Sequence, residues 1–295
     1  MRNILFRISL LLFSLFPIAS SSASYYGSGA YGDVGIGLRY DSNLSRAQTE
    51  HDRKEDFINN FNARYGYQKV LSQNSLLNIS ADVAYEKMGE FKALNNLQLG
   101  GAASYYYQPV PGYFNPWFEL TFSLNHLKFN KSKIRDSVIL DSSLKVAKRF
   151  THKLNGSLAY TYNERYSSEK VFDLVNHVIS SDVEYSYSRS LTLFAGYKIE
   201  FGEVVSTAIP NAKIIAASES VAPDDVFSSG IGSSCMNRRC AYRLDATSHK
   251  LNAGMYMNPG ESVEIELATQ YHYSDAAGDN RYQGLIYYAS FWYAY

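Results

Sequence analysis

Apolar and polar residues alternate over long stretches of this chain. In one stretch Leu77, Ile79, Ala81, Val83 and Tyr85 oppose Asn78, Ser80, Asp82 and Glu86, and in another Leu154, Leu158, Tyr160 and Tyr162 oppose Asn155, Ser157, Thr161 and Asn163. The pattern returns with Leu191, Leu193, Ala195, Tyr197, Ile199 and Phe201 against Thr192, Lys198 and Glu200, and with Val263, Ile265, Leu267, Thr269, Tyr271 and Tyr273 against Glu264, Glu266, Gln270 and His272. A period of two places each set on one face of a β-strand and leaves little room for helices. Near the C-terminus, Leu285, Tyr287, Ala289, Phe291, Tyr293 and Tyr295 share one face, while Gly284, Ile286, Tyr288, Ser290 and Ala294 share the other. Filling in weaker segments predicts strands near 30–41, 56–69, 75–87, 90–108, 117–129, 136–149, 153–165, 171–188, 190–203, 241–257, 262–274 and 281–295, twelve in all. Ten or fourteen are the alternatives, because the Lys87-Met88-Gly89-Glu90 link and the segment after Arg239 are weakly patterned.

Each apolar stripe is long and keeps its charges on one side. A soluble β-sandwich also alternates, but usually with shorter strands. A charge on a lipid face costs roughly 2–4 kcal/mol near the midplane, which accounts for the sorting of charge if the stripes face lipid. The fold class predicted is all-β, a single transmembrane antiparallel up-and-down barrel of about 12 strands. The links alternate in length accordingly. Short turns at Leu71-Ser72-Gln73-Asn74, Arg149-Phe150-Thr151-His152, Ser188-Arg189-Ser190 and Asn258-Pro259-Gly260 suit the periplasmic side, and Asn-Pro-Gly is strong turn chemistry. Ser42 to Glu55 and Val204 to Cys240 would be external loops, with both termini in the periplasm.

The chain starts with Met1-Arg2-Asn3 and Arg7, continues with an apolar run from Ile8 to Ala19, and offers small residues at Ser21-Ser22-Ala23. That order reads as a signal peptide over 1–23 cut near Ala23, followed by a barrel over 24–295 placed in a bacterial outer membrane. The apolar run is too short for a spanning helix.

Hydrophobic residues make up 46% of the chain and aromatics 15%, yet the mean hydropathy is −0.25. Twenty-six Tyr and 16 Phe would supply aromatic girdles at two membrane interfaces. Lys+Arg 28 balances Asp+Glu 28, which leaves no electrostatic case for nucleic acid. The two cysteines, Cys235 and Cys240, are expected to form a disulfide after export, across Met236-Asn237-Arg238-Arg239 in the longest external loop, holding Arg238 and Arg239 outward.

With the apolar stripes outward, Arg39, Arg64, Lys92, Lys145 and Lys198 are expected to line the lumen as bases. Asp82, Glu86, Glu119, Asp141, Asp182, Glu184, Glu200, Glu264 and Glu266 are expected there as acids, with Asn62, Asn78, Gln98, Ser123, Asn155, Thr161 and Gln270 between them. Unpaired charges could not sit in a dry interior, so the lumen is hydrated or salt-bridged. Twelve strands lie between filled eight-stranded barrels and open porins, so strand number leaves a closed barrel and a narrow pore both open. Acids beside the bases argue against anion selectivity.

Tyr271-His272-Tyr273-Ser274-Asp275 is the best enzymatic candidate, since His272 and Ser274 share a strand face. It resembles the His-x-Ser of barrel-type membrane phospholipases and deacylases, although Asp275-Ala276 stands where those enzymes carry Asn-Gly. An orienting third group has no candidate beyond Asp275 or Asp279, and no catalytic residue is assigned. His126, His152, His177, His249 and His272 lack metal-ligand spacing, and neither a metal nor a cofactor is expected.

Tyr40-Asp41-Ser42-Asn43, within Gly35 to Arg46, resembles the first-strand motif Tyr-Asp-(Ser/Asp)-Asn of surface lipoprotein assembly modifier barrels and of barrels linked to exopolysaccharide export. The resemblance implies a bacterial outer-membrane β-barrel and covers a small part of the chain. The first function expected is a narrow pore for small polar solutes. The alternative is a non-catalytic export, assembly or surface-interaction component acting through its long external loop, and an outer-membrane lipid hydrolase ranks third. Expected partners are outer-membrane lipid and lipopolysaccharide, an unspecified periplasmic or surface protein, and the barrel-assembly machinery. By resemblance to other barrels, that machinery would read a closing signal formed by Tyr287, Phe291, Tyr293 and Tyr295.

Overall fold

A computed structural model describes residues 28–227, 235 and 238–295. The predicted signal peptide over 1–23 lies outside the described residues. Twelve strands form the wall: β1 (Gly29–Asp41), β2 (Asp56–Ser72), β3 (Ser75–Met88), β4 (Asn96–Tyr107), β5 (Trp117–Phe129), β6 (Ser137–Arg149), β7 (Leu154–Ser167), β8 (Leu174–Ser186), β9 (Leu191–Ala208), β11 (Cys240–Met257), β12 (Val263–Ala276) and β13 (Asn280–Ala294). Every neighbouring pair is antiparallel, and the sheet closes where β1 pairs with β13, Gly35 opposite Trp292 and Arg39 opposite Tyr288. Closure removes both sheet edges, so every backbone polar group in the apolar zone has a ladder partner.

The outward positions are apolar along the middle of each strand, as at Ile36, Phe61, Ile79, Leu99, Leu124, Leu144, Leu158, Ile179, Leu251 and Leu267, all exposed. Outward tyrosines flank this belt at both ends: Tyr67, Tyr105, Tyr107, Tyr185 and Tyr293 near the end that holds both termini, and Tyr85, Tyr166 and Tyr271 toward the other. A soluble protein would not leave so wide a belt of apolar side chains bare, whereas lipid stabilises it. The chain is a transmembrane β-barrel.

The turns at the terminal end are short. β2 and β3 are joined through Gln73-Asn74, with Ser72 opposite Ser75 and their hydroxyls 2.8 Å apart. At the opposite end three links share one construction. Each carries a one-turn 3-10 helix (Lys92–Leu94, Lys133–Arg135, Lys170–Phe172), followed by an Asn or Asp whose side chain takes the backbone N–H that ends the preceding strand. Asn95 accepts from Met88 at 2.8 Å, Asp136 from Phe129 at 2.7 Å and Asp173 from Ser167 at 2.6 Å. The side chain thereby mimics the next ladder partner and satisfies a donor that would otherwise be orphaned.

This construction corrects the strand expected over 90–108. The strand begins at Asn96, and Lys92 sits exposed on the 3-10 turn outside the lumen. The wall is also taller at one place than the alternation indicates, because β9 runs to Ala208 and pairs with β11 up to Cys240. Between them lie the six-residue helix α1 (Ala212–Ala217) and the short strand β10 (Ser220–Pro223), which pairs with the top of β11.

Candidate functional site

The inward positions are polar, and most of their charges are engaged. Arg39 pairs with Glu86 at 3.3 Å and Arg64 with Asp33 at 2.8 Å. Lys250 holds Glu200 at 2.6 Å. Glu119 accepts from the Tyr106 hydroxyl at 3.0 Å and from Thr121 at 3.2 Å, while the Lys145 ammonium stands 5.8 Å over the Trp117 ring. Asp141 accepts from Ser123 at 3.1 Å and Asn163 at 2.6 Å. Glu266 is fully buried and takes a bond from Ser290 at 3.4 Å. Among the amides, Gln98 donates to Asn125 at 3.1 Å and Asn78 accepts from the Tyr31 hydroxyl at 3.0 Å. Asp82 and Glu264 alternate inward on β3 and β12, Asp182 and Glu184 on β8, and Lys198 on β9. Pairing of this kind lets ions stand inside the barrel without stranding a bare charge.

The lumen encloses a cavity of about 460 Å³, lined by Arg39, Glu86, Asp141, Asp182, Glu184, Lys198, Glu200, Lys250 and Glu266, with Phe194, Tyr256 and Tyr288 among the aromatics. Near the terminal end Leu76, Tyr106, Trp117 and Ala147 pack into an apolar cluster against the wall.

The long-loop end is capped. In the first loop the fully buried Asn43 donates to Ala47 O at 2.9 Å and to Gln283 O at 3.0 Å, which folds the loop over the mouth. Arg46 turns down onto Asp41 through both nitrogens, at 3.0 and 2.8 Å. Burial penalises its charge, but the Asp41 carboxylate raises its pKa above the ordinary guanidinium value. The segment after β10 crosses the opening. Phe227 packs with Ile58 of β2, Met88 of β3, Leu94 and Phe129 of β5, on the wall opposite β9 and β11, and its ring meets Phe91 at 4.9 Å edge-on. Arg135 clamps this segment, reaching Asp224 and Asp225 at 2.6 Å each while its guanidinium lies 4.3 Å from the centre of the Phe172 ring. Thr207 donates to the same Asp224 at 3.1 Å.

Cys235 and Cys240 are joined, as expected, and Cys240 is fully buried at the start of β11. The orientation expected for Arg239 is corrected. Instead of facing outward it bonds Asp52 at 3.1 Å and His51 O at 3.1 Å, tying the two loops together, because two buried-side carboxylate and carbonyl acceptors stabilise a guanidinium better than exposure does.

His272 and Ser274 do share the inward face, but the geometry pairs neither with the other. Ser274 Oγ lies 2.6 Å from Ser248 Oγ, and His272 Nε2 lies 3.3 Å from Arg46 Nη1. Asp275 faces out to Arg281, and Asp279 to Lys213. Among the described residues no cluster has the donors to hold a metal ion.

Several lumen and cap residues escaped the sequence reading: Asp33, Lys250, Arg135 and Asp52. Lys250 alternates with His249 and Leu251 on a strand whose outward face also carries Thr247, so its stripe is faint. A signal for Arg135 did exist. Lys92-Ala93-Leu94-Asn95, Lys133-Ile134-Arg135-Asp136 and Lys170-Val171-Phe172-Asp173 repeat one pattern at the same place in three hairpins, and Arg135 is the polar exception at the third position.

No protein-family model matches this chain, and no curated protein matches it. Solved structures do. The chain is similar to an outer-membrane channel from Pseudomonas putida F1, with a TM-score of 0.56 and 11% identity over 90% of this chain and 96% of that one. It also matches the monoaromatic hydrocarbon channel CymD, with TM-score 0.48 and 8% identity over 91% of this chain and 89% of that one. A third match is the Pseudomonas putida toluene transporter TodX, with TM-score 0.44 and 10% identity over 90% of this chain and 89% of that one. At such identities the likeness concerns the fold: a bacterial outer-membrane β-barrel.

Proposed function

We propose that the protein is a narrow channel for small polar solutes in a bacterial outer membrane, closed at its external mouth in the state described. One observation carries this reading: a cavity of about 460 Å³, lined by charged side chains such as Arg39, Glu86, Asp182, Lys198 and Glu200 along with apolar ones, lies inside a barrel whose outer belt is apolar. Water and solutes can be accommodated where charges are paired along the wall, and mixed signs favour neutral or zwitterionic solutes over anions. The fold shared with the Pseudomonas putida F1 channel supports the reading. So do the link lengths, since outer-membrane barrels keep short turns in the periplasm and longer loops outside. A surface-interaction role draws less support, because the described part of the longest loop packs into the mouth instead of projecting from it.

Planar-bilayer recording of the purified protein tests the proposal. Discrete conductance steps are expected, brief in the native protein and sustained when Arg135 is replaced by Ala. Silence of both proteins, with correct heat-modifiable folding, would overturn it.

A further inference from the structure

Two inward register rows meet on the wall made by β8, β9, β11 and β12. Asp182 lies opposite Gly196, which lies opposite Asn252; one row toward the terminal end, Glu184 lies opposite Phe194, Gly254 and Ala268 in turn. The small residues shape the surface. Asp182 Oδ1 and both head atoms of Asn252 lie within 3.0 Å of where a Cβ at position 196 would stand, so Gly196 lets a carboxylate and an amide converge. The Phe194 ring tip occupies the place of a Cβ at Gly254, and one of its faces stacks on Tyr256 with centroids 4.5 Å apart and planes 24° apart. Phe194 sits one register row from Asp182 and Asn252 and also lines the cavity. Asp182, Glu184, Phe194, Lys198 and Asn252 all line the cavity. Among the described residues, Asn252 Oδ1 is buried with no hydrogen-bond partner.

We infer that this wall is a saccharide-binding subsite, an inference that rests on the lumen being reached by solutes. A sugar ring has an apolar C–H face and an equatorial rim of hydroxyls that both donate and accept. The cavity-lining Phe194 ring suits the first, and the second is met by a carboxylate that accepts, a Lys198 ammonium that donates and an amide that does both. An aromatic hydrocarbon would stack equally well on Phe194, but it would strip water from Asp182 and Asn252 and return no hydrogen bond. A free anion would meet the Asp182 and Glu184 carboxylates and a free cation the Lys198 ammonium, so an ion of either sign faces a like charge in this wall. The ligand class that uses every group is a neutral mono- or disaccharide.

The test uses the full chain in lauryldimethylamine oxide, a detergent without a sugar head, and maltose and trehalose as probes. Saturation-transfer NMR should light the C–H protons of one sugar face, and in bilayers either sugar should interrupt the current at millimolar concentration. Phe194→Ala should weaken both effects at least tenfold, Asn252→Ala severalfold, and Phe194→Trp should retain them. Transfer and block that are absent for both sugars, equal in the native protein and Phe194→Ala, or replaced by displacement with toluene would overturn the subsite. Conductance without sugar block would refute the subsite and leave the channel standing. Phe194-dependent transfer in a protein that never conducts would do the reverse.

Discussion

Arg135 Nη2 donates to Asp224 Oδ2 at 2.6 Å, joining the short link between β5 and β6 to a segment that starts between β9 and β11. Both side chains are buried, and Arg135 also reaches Asp225. Removing one partner of a buried ion pair strands the other, at a cost of about 3–5 kcal/mol. The barrel ladders do not depend on this contact, so the cost falls on the cap.

Arg135→Ala should therefore free the 224–227 segment while leaving the barrel folded. Limited proteolysis from outside should cut that loop at least tenfold faster, and open-channel lifetime should lengthen. Unchanged cleavage and gating would mean that Phe227 in its pocket of Ile58, Met88, Leu94 and Phe129 holds the cap by itself.

The disulfide has a local role. In the chain-entropy model so small a ring contributes roughly 2 kcal/mol, against a barrel closed by twelve ladders. Cys235→Ser should leave heat-modifiable migration intact and make the adjoining loop easier to cleave. Peptide mapping without reduction should find the bridge in the native protein; two free thiols in protein taken from the membrane would contradict it.

Leu267 and Gln270 test which face meets lipid. Leu267 is 41% exposed on the outer belt and Gln270 only 7% in the lumen. Leu267→Arg should destabilise the barrel by roughly 2–4 kcal/mol in a lipid refolding titration, whereas Gln270→Arg should fold normally. Equal losses would mean that the register of β12 is one residue off.

The last strand closes the ring. Phe291 opposes Ile36 on β1, Tyr293 opposes Val34, and Tyr295 exchanges two backbone bonds with Gly32, at 3.0 and 3.2 Å. Deleting Phe291 to Tyr295 should leave β1 with an unpaired edge, so that the protein is degraded before insertion. Normal amounts of heat-modifiable protein in the membrane fraction would show that closure tolerates the loss.

What could be read from the chain alone is the sidedness of each strand. A period of two is a local property: Leu77 and Asn78 point apart whatever lies beside them, so the lipid belt and the strand number follow from alternation. Links gave way first, because a few residues between strands have no period to betray them. Lys92 looked like one more inward base until Asn95 took the Met88 N–H and made the segment a turn. The cap and the row of Asp182, Gly196 and Asn252 were beyond any local reading. Arg135 finds Asp224 89 residues away, and Asn43 finds Gln283 240 residues away. Such pairs exist only because closure brings both loops over one mouth, and burial there makes an unpartnered charge or amide too costly to leave. Alternation decided which face each side chain takes; which side chains meet was decided by the ring.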